Sequence, residues 1–321
     1  MIVKVGETRQ DILRSGTFSG VTYIPQLVAT ANNTRIAVSD FDAQHVSVRV
    51  LLKRSGKQHI IYQDNLKLLA AFCTLRKNFH EWRNGLDKVN PGAAVKHIQV
   101  RPVTINFGTH IRVNAGDELI LETSLAVGTF GAAINANDSF IEFYANPSIG
   151  YEAGIPSITL EVVQQGTTKQ SFNPGDNVTD LVVLNFDKDS LTDEVLTNVQ
   201  LGTDRYDLGL SFNQVLAHSM AFVGYDPRSR YSDALPVTAA GQNVFRGLDY
   251  LPQSFIFFAS DKGDQIDQVR LDLSFNGVNV AASQNYVGFR RVESSKEIVR
   301  AALNRGEKHF RENFNKLPEV V

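Results

Sequence analysis

The feature that most constrains this chain is that it repeats itself. Gly56, closing Leu52-Lys53-Arg54-Ser55-Gly56, has a counterpart in Gly202, closing Val199-Gln200-Leu201-Gly202. Asn65-Leu66-Lys67-Leu68-Leu69-Ala70 resembles Phe212-Asn213-Gln214-Val215-Leu216-Ala217. Gly116-Asp117 opens a segment ending Thr123-Ser124-Leu125, as Gly263-Asp264 opens one ending Leu273-Ser274-Phe275. Ser139-Phe140-Ile141-Glu142-Phe143 matches Asn285-Tyr286-Val287-Gly288-Phe289. The four anchors keep their order at an offset of 146 or 147 residues, which predicts two copies of one structural unit. The join falls near 146–156, where Pro147, Gly150, Gly154 and Pro156 punctuate the chain.

Each unit reads as β structure, because the dominant hydrophobic period is two. Val46, Val48, Val50 and Leu52 share one face of a strand whose other face carries His45, Ser47 and Arg49. Val269, Leu271, Leu273 and Phe275 alternate with Gln268, Arg270, Asp272 and Ser274 in the same way. Similar segments occur at 97–107, 117–125, 139–144, 157–163, 177–186, 254–259 and 285–292, separated by turns such as Asn114-Ala115-Gly116-Asp117, Asn173-Pro174-Gly175-Asp176 and Asp261-Lys262-Gly263-Asp264. One stretch in the first unit breaks the pattern: 64–82 carries the helical stripes Leu66, Leu69, Ala70, Cys73 and Leu68, Phe72, Leu75, Phe79, so it should be a helix buried on two sides. The predicted fold class is all-β: two consecutive eight-stranded jelly-roll sandwiches, each with a short side helix, at 1–150 (with an N-terminal arm) and 151–293, followed by a C-terminal amphipathic helix at 294–321. A length of 321 residues, at roughly 150 residues per domain, fits two units.

Chemistry is hard to find in this pattern. The 32 basic and 34 acidic residues leave a net charge of −2, which argues against wrapping nucleic acid with the whole surface. Cys73 is the one cysteine, so an intrachain disulfide framework and a paired-thiolate zinc site are out; on an apolar helix stripe it reads as a small buried hydrophobe. The histidines 45, 59, 80, 97, 110, 218 and 309 never fall two or four apart, as metal-binding jelly rolls of the cupin type require. No Gly-x-Ser-x-Gly elbow and no phosphate-cradling glycine loop occurs, and His218-Ser219, being adjacent, point apart on a helix. Glu142 with Glu152, and Asp204 with Asp207, read as ordinary surface acids. No cofactor and no enzyme activity are expected. The loop 187–194 is a weak calcium candidate through Asp187 and Asp189, without the glycine and terminal glutamate of an EF-hand loop. The triplets at Asn32, Asn137 and Asn177 fit the glycosylation pattern, yet with no apolar leader in the first residues they read as turns of a protein made in a cytosol.

The end of the chain departs from the overall charge balance. Ser294 and Glu297 form a capping box, and between Arg290 and Lys316 eight basic residues face four acids. Val299, Leu303, Phe310 and Phe314 form an apolar stripe opposite Lys296, Arg300, Arg305, Lys308, Arg311 and Lys316. A basic amphipathic helix of this kind either packs on the protein's own sandwich or faces anionic lipid or nucleic acid.

The duplicated sandwich, the side helices and the want of a catalytic constellation together resemble the double jelly-roll major capsid proteins of icosahedral viruses, particularly lipid-containing bacteriophages. The resemblance is architectural and covers about residues 17 to 292. It implies a homotrimer forming a pseudo-hexagonal capsomer, a higher-order shell shared with other capsid proteins, and a location in the virion after synthesis in the host cytoplasm. It also implies contacts of the six basic C-terminal residues with internal membrane lipid or packaged genome. Long loops at 126–138 and 224–243 would serve as surface or contact elements. The alternative is a receptor- or glycan-binding β-sandwich of a phage tail or spike, or a jelly-roll hydrolase; Trp82, the one tryptophan, sits in the buried-looking helix, and the nine tyrosines keep the glycan reading open.

Overall fold

The computed structural model describes residues 1–74, 86–185, 196–205, 207–211, 254–259, 266–276 and 285–293, with Asn213, Gln214 and Ala217. Among the described residues, eighteen strands form four sheets, and helix α1 follows the fifth strand. The first half holds β1 (Ile2–Val3), β2 (Thr8–Leu13), β3 (Gly16–Asn32), β4 (Val46–Arg54), β5 (Lys57–Asn65), α1 (Leu66–Thr74), β6 (Leu86–Val89), β7 (Lys96–Val100), β8 (Val103–Val113), β9 (Glu118–Leu125) and β10 (Phe140–Pro147). The second half holds β11 (Ile155–Val162), β12 (Lys169–Gly175), β13 (Val178–Asn185), β14 (Leu196–Gly202), β15 (Asp207–Ser211), β16 (Ser254–Ala259), β17 (Val269–Phe275) and β18 (Asn285–Glu293).

The sheets show the duplication directly. In the second half they run β11-β18-β13-β16 and β12-β17-β14-β15, so strands counted one to eight fall in the order 1-8-3-6 and 2-7-4-5, the order of a jelly roll. Leaving out the β6–β7 hairpin, the first half gives β1-β10-β3-β8 and β2-β9-β4-β5, the same two orders. The paired anchors fall on equivalent elements: Gly56 and Gly202 at the fourth-to-fifth-strand turn, Phe140 and Tyr286 on the eighth strand, Ala70 in α1 and Ala217 in helical backbone after β15. The counterpart of Gly116-Asp117, Gly263-Asp264, lies outside the described residues, as do 294–321 and 224–243.

Two expectations need correction. The first half has ten strands, not eight, because an extra hairpin, β6–β7, follows the helix and extends the inner sheet along β3. The single strand expected over 97–107 is two, β7 and β8, broken at Arg101-Pro102. Long β3 changes partner there: Tyr23 pairs with Val103 of β8 and Gln26 with Val100 of β7. Pro25 sits at the changeover, its carbonyl accepting the Arg101 N–H at 2.9 Å, so the N–H that proline lacks falls where the ladder is already interrupted.

The helix begins at Leu66, two residues later than its pattern allows, because Asn65 caps it: the Asn65 Oδ1 accepts the Leu68 N–H at 2.9 Å. From Leu68 through Cys73 every side chain is buried, as the double stripe predicts. The segment from Leu75 to Trp82 lies outside the described residues.

Candidate assembly interface

The two halves meet through the inner sheet of the second. Its central strand reads Leu181-Val182-Val183-Leu184, without alternation, because both faces are covered. Leu181 and Val183 join Val287 and Phe289 in the second sandwich's own core. Val182, Leu184 and Ile158, one pleat away, join the core of the first half with Leu66, Leu69, Phe72 and Cys73 of α1, and Leu160 and Tyr286 pack against them. Helix α1 is therefore buried on two sides by two different sandwiches.

A buried cation crosses this seam. Arg290 on β18 is only 4% exposed, yet its Nη1 donates to Asp180 Oδ2 of neighbouring β13 at 2.7 Å and its Nη2 to the Asn106 carbonyl of β8 at 3.1 Å. Nη2 also reaches Cys73 Sγ at 3.6 Å, and the guanidinium lies 5.4 Å from the centre of the Phe72 ring. The contact is close enough to demand glycine on both sides. A Cβ on Gly108 would sit 2.6 Å from Arg290 Cδ, and one on Gly288 2.7 Å from Phe72 Cδ2. Burial pushes the Cys73 thiol above its ordinary range, with the Arg290 charge working against it, which leaves a packed, un-ionised side chain.

The same face of the first half is open. By register, Phe140-Gln26 corresponds to Tyr286-Leu184, Glu142-Ile24 to Gly288-Val182, and Tyr144-Thr22 to Arg290-Asp180. Ile2, paired with Glu142, takes the place of Leu160, paired with Gly288. Where Val182 and Leu184 are fully buried and Leu160 partly so, Ile2 is 48% and Tyr144 43% exposed, and Ile24 and Phe140 are half-buried. Thr22 holds the centre of this face, its hydroxyl 2.9 Å from that of Thr104 and donating to Asn146 Oδ1 at 2.8 Å.

Of the residues singled out in the sequence, Cys73 lies in the seam and Glu142 on the open face. Asp187 and Asp189 lie outside the described residues, and so do Lys296, Arg300, Arg305, Lys308, Arg311 and Lys316. Glu142 is exposed, and Asp204 and Asp207 are surface acids paired with Arg205 and Gln200. Glu152 is not an ordinary surface acid. It takes the Arg54 Nη1 at 2.5 Å while Arg54 Nε donates to Asp117 at 3.1 Å and Nη2 to the Arg112 carbonyl, tying the inter-sandwich segment to the first half. Among the described residues no group of three His, Cys, Asp or Glu side chains gathers as metal ligands.

Buried His97 also has a structural partner set the sequence did not reveal: its Nδ1 accepts the Ile36 N–H at 3.0 Å, and its Nε2 lies 2.7 Å from Asp87. Burial pulls the Asp87 carboxyl upward, but the hydrogen bonds from His97 and Gln99 outweigh it and hold the group below its usual range. With both ring nitrogens engaged, His97 has no lone pair left for a substrate or metal.

No protein-family model matches the chain, and no curated protein matches its sequence. Solved structures do match. The crystal structure of the STIV MCP aligns over 90% of this chain and 91% of that chain, at 13% identity and a TM-score of 0.50. An atomic structure of Sulfolobus turreted icosahedral virus aligns over 91% and 89%, at 12% identity and a TM-score of 0.49. The Sputnik virophage, solved by cryo-EM, aligns over 89% and 82%, at 9% identity and a TM-score of 0.36. These neighbours are double jelly-roll major capsid proteins, the kind of protein the sequence resembles. The likeness is one of fold. It rests on the STIV MCP alignment, whose coverage spans both sandwiches.

Proposed function

We propose that the chain is a major capsid protein that self-associates as a homotrimer and tiles an icosahedral shell. The observation that carries this reading is the unequal fate of one face in two like units. The inner-sheet face of the second sandwich is buried on the first sandwich's α1 side, while the equivalent face of the first, with Ile2, Ile24, Phe140 and Tyr144, is open. A head-to-tail contact that joins unit one to unit two within a chain can join unit two of one chain to unit one of the next. Such heterologous contacts close into a ring when the rotation fits, and six units turning by a sixth of a circle each close with three chains.

The units of this reading are 1–150, 151–293 and 294–321. The chain acts in the virion with other capsid proteins, after synthesis in the host cytoplasm, and carries out no catalytic step. The reading extends to a bacteriophage host, as the resemblance of the sequence implies. The basic C-terminal segment faces the interior, where Lys296, Arg300, Arg305, Lys308, Arg311 and Lys316 meet membrane headgroups or packaged genome, each nearby cation contributing about 1 kcal/mol.

Light scattering on the full chain tests the trimer. We expect a trimer at low micromolar concentration, and Tyr144→Asp with Ile24→Asp should yield a folded monomer. A wild-type chain that stays monomeric at every concentration would refute the shell reading and favour the receptor- or glycan-binding sandwich. Removal of 294–321 should leave folding and trimerisation intact but abolish binding to anionic vesicles; equal vesicle binding by the truncated chain would refute the interior role.

A further inference from the structure

The outer sheet of the first half ends on a strand edge that no other strand covers among the described residues. β2 pairs with β9 on one side, in unbroken register from Thr8 with Ser124 to Leu13 with Leu119, and with nothing on the other. Its hydrogen-bonding phase is fixed where it begins. Gly6, at φ +78°, donates to the Leu125 carbonyl at 2.8 Å, and the Leu125 N–H donates to the Glu7 carbonyl at 3.1 Å, a glycine bulge that turns the Glu7 carbonyl toward β9. Peptide groups alternate sides along a strand, so those of Arg9, Asp11 and Leu13 also face β9. The N–H and C=O groups of Thr8, Gln10 and Ile12 point away from the sheet, and all three residues are exposed.

The equivalent strand of the second half is blunted. The β12 ladder slips between Phe172 and Gly175, and Pro174 there has no N–H to offer. β2 has neither a slip nor a proline. It carries instead two charges on the side that looks into the sandwich, Arg9 opposite fully buried Thr123 and Asp11 opposite fully buried Leu121. Asp11 has no ion-pair or hydrogen-bond partner among the described residues, and Arg9 holds Glu7 through Nε at 3.2 Å and Nη2 at 3.3 Å, which leaves Nη1 uncommitted.

We propose that β2 pairs antiparallel with β2 of a second copy about a two-fold axis through Gln10, perpendicular to the sheet, joining two four-stranded sheets into one. Three two-fold registers set outward-facing peptide groups opposite each other, centred on residue 9, 10 or 11. Centring on Arg9 sets two guanidinium groups directly together, and centring on Asp11 sets two carboxylates together. Centring on Gln10 sets Arg9 against Asp11 of the second copy, twice, as an isologous contact requires. These opposite charges fall at positions without ladder hydrogen bonds, where cross-strand side chains are closest. The same register also uses every outward group from Thr8 to Ile12, with reciprocal hydrogen bonds at 8–12, 10–10 and 12–8, while either alternative loses one reciprocal pair. Charge and backbone therefore select one arrangement. A foreign strand without the complementary charges would leave Arg9 and Asp11 unmatched, which keeps the edge from pairing indiscriminately.

The length of the edge fixes the kind of contact. Six residues at ~3.4 Å give about 20 Å of paired strand, well short of the roughly 800 Å² per partner of a standard stable interface. The contact is weak alone and becomes effective when many copies are held in one assembly. It rests on the shell-forming reading for its use, joining one assembly to its neighbour, but not for its geometry.

Sedimentation velocity of the full chain over a concentration series tests it. Arg9→Glu sets a carboxylate against that of Asp11 in the second copy, and Asp11→Arg sets a guanidinium against that of Arg9; each variant alone should associate at least about tenfold more weakly than wild type. A mixture of the two restores opposite charges at both contacts and should associate within about threefold of wild type. Gln10→Pro removes an N–H that the fold does not use, so it should weaken association as much as the reversals do while melting as wild type does. Should either reversal unfold, Gln10→Pro decides alone. Singles that associate like wild type, a mixture no better than its folded components, or a Gln10→Pro chain that either associates normally or fails to fold overturns the proposal. A trimer whose further association ignores these changes refutes this contact and leaves the trimer standing; a two-fold step that they abolish in a chain that forms no trimer refutes the trimer and leaves this contact.

Discussion

The seam between the sandwiches offers the sharpest test of the fold's energetics, through Arg290. Replacing Arg290 by Met keeps most of the stem volume over Phe72 but removes the charge, leaving Asp180 buried without the cation 2.7 Å away. Two charge-assisted hydrogen bonds are lost, to Asp180 and to the Asn106 carbonyl, each contributing about 1.5–3 kcal/mol. Removing one partner of a buried pair costs about 3–5 kcal/mol by a separate line of measurement, so the two routes agree. Arg290→Met should therefore lose about 3–5 kcal/mol. The double change Arg290→Met with Asp180→Leu removes the Asp180 carboxylate as well and should recover most of that loss, since buried pairs replaced by apolar groups of similar volume are often neutral. Urea denaturation of the four proteins of the cycle gives the coupling directly. Because the pair is shielded from solvent, the coupling should change little between low salt and about 0.5 M. A loss under about 1 kcal/mol for Arg290→Met, or a coupling that salt erases, would show that water reaches the pair and that the halves are not locked through it.

Leu69→Ala should cost about 2–5 kcal/mol by chemical denaturation, since Leu69 is fully buried between the two sandwiches; a loss of a few tenths would make α1 a surface helix. Cys73 should resist a thiol reagent until denaturant is added, its burial and raised thiol range acting together, and rapid labelling of the native chain would refute that packing. Burial holds the Asp64 carboxyl above its ordinary range, against the Asn65 N–H bond. The folded state thus binds a proton more readily than the unfolded chain, so this group's stabilising contribution exists at acid pH and is lost as pH rises through its raised value. Asp64→Asn should melt higher than wild type at pH 7 and no higher at about pH 3.5; a lower melting point at pH 7 would reverse the assignment.

The sequence signals that worked were those fixed by one strand and its own core. β4, β9, β16, β17 and β18 were legible because inward residues alternate with solvated ones or run between clear turns. β3, the longest described strand, escaped because it holds Gly20 and Pro25, residue types that weaken or interrupt a strand pattern. In the structure Gly20 is required by the Ile105 carbonyl, which would lie 2.5 Å from its Cβ, and Pro25 sits where the strand trades one neighbour for another. Both facts belong to partners remote in the chain. The same holds for the polar interior: Arg290, Arg101, His97 and Asp180 look like surface residues until a second element supplies the hydrogen-bond partner.

The repeat itself explains which part of the interface could be read. In the last anchor the inward positions agree between halves, Ile141 with Val287 and Phe143 with Phe289, because each faces the core of its own sandwich. Two outward positions disagree, Glu142 standing where Gly288 does and Tyr144 where Arg290 does, while Phe140 and Tyr286 stay aromatic. Glycine is demanded in one copy by the Phe72 ring and a buried cation is admitted by Asp180 and Asn106, while the other copy meets no element of its own chain among the described residues. Agreement at the inward positions therefore marks the shared fold, and the changes at 142 and 144 mark the surface whose neighbour differs.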